Sequence, residues 1–477
     1  FVTEQTIDFF RVEKEPLRRI TQDIPITTNF MGTYPGLNYF RFRDEVDVVS
    51  WDSYPCWHGV GTDSGPTENA AWDPHGRDWK LASDVGFLHD LNRSIKGRPF
   101  MLMESTPSMT NWQPVCKLQR PGMNILSKLQ AVAHGSDTVQ YFQWRKSLGS
   151  FEKFHGAVVD HSDRDDTRVF REAADLGSRL ESLAQVAGSD THASVAILFD
   201  WENRWALEDA MGPRNDGRRN YVERCKQHYL PFWQRGIAVD VIDSEDPLES
   251  YQLVVAPMLY MLKPGAERNI RRFVEAGGTF VTTYWSCIVD QHDLCFFGGF
   301  PGPLRDVLGI WNEEIDSLYP EERNALVPDA DCDLSLRAEY ELRELCERIH
   351  AETAQPLAHY KTDFYAGEPA LTRNRYGGGQ AYYLAARAGE DFLDDFYGEL
   401  AYRLGLPRAV DAELPRGVTV RERRSEDNTY LFFQNFTTET HRIELNEQYR
   451  DLVTGAAVRN ELRLDAYGVR VLTRAAH

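Results

Sequence analysis

The 477 residues are 42% hydrophobic and 26% charged, enough for roughly two to four domains with sizeable cores. No run of about 18 apolar residues occurs, so no membrane-spanning helix and no membrane partner is expected. The net charge of −20 argues against nucleic acid, whose binders cluster Lys and Arg, and suits a neutral ligand such as a sugar.

The chain opens on Phe1, and residues 2–12 read as an amphipathic helix already under way. No charged n-region precedes an apolar stretch, so this is not a signal peptide. Residues upstream of Phe1 are expected, either removed or left out.

A helix over about 4–21 is followed by strand-like runs at 24–30 and 46–51. After a long polar loop come a helix near 79–96, an apolar strand at 99–104, a helix near 121–134 and a strand at 138–144. Strands separated by helices imply parallel βα units, and four of them could form half of an eight-stranded α/β barrel. Each strand ends in polar residues: Asn29, then Asp52-Ser53-Tyr54, then Glu104, then Arg145-Lys146. In such barrels chemistry gathers at the C-terminal strand ends.

A second α/β segment runs from about 190 to 407. Residues 194–199, 253–257 and 279–284 read as buried parallel strands, and a helix over 266–275 ends at Gly277-Gly278. This is a doubly wound layout without GxGxxG or a Walker lysine, so nucleotide binding has no support. Gly377-Gly378-Gly379 reads as a turn before a strand at 381–384. From about 411 short β segments at 418–421, 429–433 and 469–472 predict a small antiparallel domain.

Seven cysteines, Cys56, Cys116, Cys225, Cys287, Cys295, Cys332 and Cys346, form an odd set with no CxxC pair. That pattern predicts reduced thiols in a cytoplasm. Cys287, His292 and Cys295 come nearest to a metal cluster, but their spacing matches no standard zinc motif; neither a metal nor a cofactor is expected.

Glu104 is the outstanding candidate for chemistry. A carboxylate at the end of a buried strand is rigidly aimed, as a retaining glycosidase requires of its nucleophile. A structural ion pair with an Arg is the bland alternative. Trp112, Trp144, Arg145, Glu152 and His155 supply the aromatic faces and charged groups that sugar sites combine. Taken singly, each could equally be a core or surface residue.

Several motifs then make a specific resemblance. Thr27-Thr28-Asn29-Phe30-Met31-Gly32, Ser50-Trp51-Asp52-Ser53-Tyr54-Pro55, Met103-Glu104-Ser105-Thr106-Pro107-Ser108 and Tyr141-Phe142-Gln143-Trp144-Arg145 resemble the family-42 glycoside hydrolases. So do Glu152-Lys153-Phe154-His155-Gly156-Ala157, Ala196-Ile197-Leu198-Phe199-Asp200-Trp201-Glu202-Asn203 and Ala256-Pro257-Met258-Leu259-Tyr260. The resemblance covers essentially the whole chain. It implies a retaining β-galactosidase built from a (β/α) barrel (here its C-terminal half, four βα units, residues 1–187), a flavodoxin-like α/β trimerisation domain at 190–407 and a small antiparallel β domain at 411–477. A homotrimer acting on a β-galactoside is implied with it.

Carried over position by position, Glu104 matches the nucleophile. Trp112, Glu152 and His155 match galactose contacts, and Tyr54 the tyrosine that hydrogen-bonds the nucleophile. The family's acid/base is a Glu preceded by Asn at the end of the fourth barrel strand. That strand would lie just before the 4–21 helix, and the chain has none, so the acid/base and the family's N-terminal substrate-binding Arg are expected upstream. Asn312-Glu313 and Asn446-Glu447 lie in the later domains and read as decoys. Two other readings stand beside this one. A catalytically incompetent fragment could act as an oligomerising or sugar-binding module. Alternatively, 190–407 could be amidotransferase-like with Cys287 as nucleophile, although the elbow pattern is missing around it.

Overall fold

Helix α1 (Val2–Ile20) buries Thr3, Ile7 and Phe10, residues spaced to share one face, and leaves its other faces to solvent. Four short parallel strands follow: β1 (Asn29–Phe30), β2 (Ser50–Asp52), β3 (Phe100–Glu104) and β4 (Ser136–Val139). They pair in chain order, β1-β2-β3-β4. Helices α2 (Asp78–Lys96), α3 (Met123–Ala133) and α4 (Arg168–Ser182) complete the βα succession. The computed structural model describes residues 1–58, 78–216 and 219–474, so most of the polar loop expected after β2 lies outside the described residues.

The strands are shorter than their apolar runs. Over 24–28 side chains take the backbone bonds that a ladder would use: Asp47 accepts from the Ile26 N–H and the Thr27 hydroxyl donates to the Val48 carbonyl, each at 2.6 Å. The run at 138–144 leaves the ladder after Val139. Phe142 N–H turns to the Ser105 carbonyl (2.9 Å) and Gln143 N–H to that of Gly156 (3.3 Å). Between sheet and helices, His134 Nδ1 and Arg93 hold the buried Asp90 carboxylate at 3.0 and 3.1 Å. Burial raises the Asp90 carboxyl, but His134 and the Arg93 guanidinium outweigh it and hold it below the ordinary range.

In the second segment, β5 (Val195–Leu198), β6 (Val239–Ile242), β7 (Leu253–Ala256) and β8 (Thr279–Thr283) are parallel and buried along almost their whole length, as strands covered on both faces are. Helices α5 (Trp201–Asp209), α6 (Tyr221–Gln234) and α7 (Ala266–Glu275) connect them. The sheet then continues with strands the hydrophobic pattern did not predict. These are β9 (Ile310–Asp316), β10 (Asn324–Pro328), β11 (Tyr340–Ala351), β12 (Gln355–Tyr360), β13 (Pro369–Tyr376) and β15 (Ala386–Ala388), whereas β13 turns at Gly377 into β14 (Gly379–Leu384), the strand expected at 381–384. Their order is β15-β11-β10-β12-β13-β14-β8-β7-β5-β6, with β9 on β11, so the segment is a mixed sheet and not only a parallel one. A short helix α8 (Arg305–Leu308) and α9 (Glu390–Leu404) accompany it.

The last segment is antiparallel. Strands β16 (Val418–Arg424), β17 (Thr429–Asn435), β18 (His441–Glu444), β19 (Tyr449–Asp451), β20 (Ala457–Val458), β21 (Glu461–Leu464) and β22 (Val469–Arg474) form a β16-β17-β22-β19-β20 sheet and a β18-β21 pair. Val418, Val420, Leu431, Phe433 and Leu472 make its core. The buried guanidinium of Arg423 ties it to the first segment through the carbonyls of Val132 and Ser136 (both 3.1 Å) and Ser189 (2.8 Å). By contacts the chain divides into two units: residues 1–192, 233–238 and 408–477, and residues 193–232 and 239–407. No helix of the described residues is long and apolar enough to cross a membrane.

Candidate active site

Parallel pairing sets Asp52 opposite Glu104, the last residues of β2 and β3. The Ser53 N–H donates to the Glu104 carbonyl at 3.0 Å, which carries the chain on to Tyr54. The Tyr54 hydroxyl donates to Glu104 Oε2 at 2.7 Å. Burial, and then the Glu104 charge, push that phenol well above its usual range, so it remains a donor.

Aromatic rings cluster around this pair. Trp112 meets Tyr54 edge-on at 4.9 Å and stacks on His155 at 5.1 Å. Tyr54 and Phe142 each meet the His155 ring edge-on, at 5.7 and 5.0 Å. Trp112 is nevertheless 51% exposed, leaving indole surface for a ligand. His155 Nδ1 lies 3.0 Å from the Gly156 carbonyl, so it carries the proton and leaves Nε2 an acceptor. That Nε2, Glu152 Oε2 and Asp52 Oδ1 are buried without a hydrogen-bond partner among the described residues. A buried polar atom left unpaired costs on the order of 1–3 kcal/mol, which ligand hydroxyls would recover.

Two loops are zipped together to build this arrangement. The Gly156 N–H donates to the Met109 carbonyl at 2.8 Å, and the Asn111 amide donates to the Phe151 carbonyl. A Cβ on Gly156 would lie 2.5 Å from Ser108 Oγ and 2.8 Å from the Met109 carbonyl oxygen, so glycine is required there. Beside Glu104, Asn29 donates to Asp52 Oδ2. Burial foremost, with the Glu104 charge adding, pushes the Asp52 carboxyl up to about 6.

The structure thus brings together Glu104, Tyr54, Trp112 and His155, with Glu152 close enough for its charge to act on Tyr54. Trp144 and Arg145 are engaged elsewhere: the exposed indole sits 6.5 Å from Phe170, and the guanidinium pairs with Asp163 at 2.7 Å. Asn111 carries no signal in the sequence, whereas Asp52 stands there as a polar strand end and Phe142 and Gly156 lie within the motifs that resemble the family.

Other candidates have different fates. Cys287 is buried and its thiol pushed far up by that burial, which leaves no thiolate for an amidotransferase nucleophile. The Glu313 carboxylate is hydrogen-bonded to His350 Nε2 (2.6 Å) and that of Glu447 is ion-paired with Arg474 (3.0 Å). Cys287, His292 and Cys295 form no ligand set; among the described residues only Asp200, Glu202 and Asp243 have metal-like spacing. Lys263 Nζ sits among them, 2.5 Å from Asp243, 3.1 Å from Asp200 and 3.2 Å from Glu245.

Residues 1–183 match the family described as β-galactosidase, 193–407 the β-galactosidase trimerisation domain and 417–474 the β-galactosidase C-terminal domain. The chain is 51% identical to β-galactosidase Pbg of Clostridium perfringens, covering 99% of this chain and 67% of that one. It is 52% identical to BglY of Alicyclobacillus acidocaldarius, covering 100% and 67%. Among solved structures, the β-galactosidase of Rahnella sp. R3 superposes with a TM-score of 0.93 at 50% identity, over 99% of this chain and 67% of that one. The enzyme of Bacillus circulans sp. alkalophilus gives 0.91 at 42%, over 99% and 67%. The chain therefore spans about two thirds of the length of these relatives, and the likeness implies a TIM barrel with additional domains. On these grounds the chain belongs to the β-galactosidases of glycoside hydrolase family 42.

Proposed function

We propose that Glu104 is the nucleophile of a retaining galactosyl transfer to water, with Tyr54, Trp112, Glu152 and His155 holding the terminal β-D-galactosyl residue. The observation that carries this reading is the Tyr54–Glu104 hydrogen bond at the C-terminal strand ends, inside a ring of aromatic and unpaired polar groups. Glu104 attacks the anomeric carbon as its bond to the aglycone oxygen breaks, and an acid protonates that oxygen. The galactosyl ester on Glu104 is then opened by water, whose proton returns to the same acid/base, and galactose leaves. Tyr54 orients the Glu104 oxygen opposite the reacting one. Trp112 offers a face to the C–H side of the sugar, and Glu152 and His155 Nε2 accept its hydroxyls.

The acid/base belongs, in this reading, to a carboxylate outside the 477 residues, on a barrel segment preceding α1. Four parallel strands in chain order and coverage of two thirds of the relatives support it. So do the partners that occupy Glu313 and Glu447. Residues 1–187 are then the C-terminal half of the barrel and 411–477 the small β domain. Residues 190–407 form a flavodoxin-like domain through which the protein assembles as a homotrimer, as the match to a trimerisation domain suggests. The seven free cysteines support a reducing, cytoplasmic setting. The direct test is hydrolysis of an aryl β-galactoside before and after Glu104→Gln; loss of all site-dependent turnover is expected, and unchanged turnover would contradict the assignment.

A further inference from the structure

The C-terminal β segment places the polar end of one side chain, Tyr467, against the supports of this site. Tyr467, between β21 and β22, donates its hydroxyl proton to Asp78 Oδ2 at 2.9 Å and accepts from Arg120 Nη1 at 3.1 Å. The same carboxylate accepts twice from His58: Nδ1–H at 2.8 Å to Oδ2, and the backbone N–H at 2.8 Å to Oδ1. His58 Nε2 in turn accepts the Arg120 backbone N–H at 3.0 Å. With Nδ1 as donor and Nε2 as acceptor, all of these bonds are satisfied together.

The set is buried and packed. The His58 ring meets Tyr467 edge-on at 5.3 Å, and the Arg120 guanidinium lies 5.9 Å from the Tyr467 ring centre. Burial raises the Asp78 carboxyl, but the bonds from His58 and Tyr467 outweigh it and hold the carboxylate charged. His58 itself is held in left-handed backbone, φ 61°, a conformation that its two bonds to Asp78 secure. A second contact runs alongside: buried Trp57 stacks on Phe436, just beyond β17, at 6.0 Å.

What these bonds hold is the site. Tyr54 precedes His58 by four residues, and Trp112 precedes Arg120 by eight. We propose that Tyr467 is a positioning residue for the galactosyl site, through which the C-terminal β segment fixes the chain segments carrying Tyr54 and Trp112. The inference rests on the site assignment above. A sugar site tolerates little displacement of its contacts, so supports of this kind bear on binding.

The test uses the full chain. Tyr467→Phe keeps the ring and removes both hydroxyl bonds. Tyr430→Phe removes a comparable bond, from β17 to the Gln185 carbonyl at 3.0 Å, and controls for loss of stability alone. Hydrogen exchange should quicken at 54–58 and 105–122 in Tyr467→Phe only. KM for an aryl galactoside should rise about tenfold with kcat within about threefold, the pattern of weakened binding. Asp78→Asn should reproduce both effects and serves if Tyr467→Phe does not fold. Unchanged exchange, faster exchange without a rise in KM, or the same change in Tyr430→Phe would each overturn the proposal. Trp112→Ala separates the two layers: if it too leaves KM unchanged, the site assignment has failed, and with it the positioning role.

Discussion

The Tyr54 hydroxyl hydrogen-bonds Glu104 Oε2 at 2.7 Å, joining a residue just beyond β2 to the last residue of β3. A hydrogen bond to a charged group contributes about 1.5–3 kcal/mol. Tyr54→Phe should therefore lower kcat/KM, which reports the attack of the carboxylate, by roughly ten- to a hundredfold. Steady-state kinetics on an aryl galactoside checks this.

Asp52 is pushed up to about 6, first by burial and then by the Glu104 charge. The folded protein should therefore show a carboxyl group that ionises near pH 6, and Asp52→Asn should abolish it. Carboxyl-carbon NMR titration of the two proteins reads this directly, and the same ionisation should disappear from the pH profile of kcat/KM.

Gly156 lets the Met109 and Phe151 loops close on each other. Gly156→Ala should separate the Trp112 loop from the His155 loop. KM should rise by about tenfold or more, because small misplacements of binding groups are costly. Unaltered kinetics would mean that the loops yield more readily than a backbone carbonyl at 2.8 Å allows.

The second unit carries its own pH dependence. Glu347 is wholly buried and pushed up to about 7, with Tyr383 and the Trp285 N–H donating to it at 2.6 and 2.8 Å. Its folded value lies above the unfolded one of 4.5. The stability tied to the neutral carboxyl is thus fully present below about pH 4.5 and is lost as pH rises through about 7, on the order of 3 kcal/mol in all. Glu347→Gln should flatten thermal stability between pH 5 and 9, relative to the wild type, in a melting series over that approximate range.

Lys263 neutralises Asp200, Asp243 and Glu245 at the carboxyl end of the parallel strands. Lys263→Met would leave buried carboxylates unpaired and should cost about 3–5 kcal/mol. Denaturant unfolding measures it, and a loss below about 1 kcal/mol would contradict the view that the ammonium is the cluster's counter-charge.

How much of this could be read beforehand depends on which forces act locally. Residues 100–104 are legible as a strand because an apolar run ends abruptly in a carboxylate. Tyr340–Ala351 is not: its Glu, Arg and Leu favour a helix, yet it forms the 12-residue β11 because its neighbours in the sheet bury alternate residues such as Tyr340 and Leu342. Residues 24–28 carry β-branched side chains but lose the ladder to Asp47 and Thr27. Asp52 and Gly156 acquire meaning only through neighbours 52 and 47 residues away, Glu104 and Met109, which no local pattern reports. Tyr467 is more distant still from Asp78 in the chain.

In the function proposed above, Glu104 bonds covalently to galactose and its proton donor lies outside residues 1–477. General acid/base help is typically worth about 10²–10⁴-fold, so this chain should turn lactose over very poorly. An aryl galactoside with a good leaving group needs less of that help, and without a base to prepare the water the galactosyl-enzyme should persist. The most direct measurement is intact-mass and peptide mapping of the chain after brief incubation with such a substrate. One galactosyl residue on the peptide containing Glu104, absent in Glu104→Gln, is the predicted result. An adduct on another carboxylate, or full-rate lactose turnover that survives Glu104→Gln, would contradict the account.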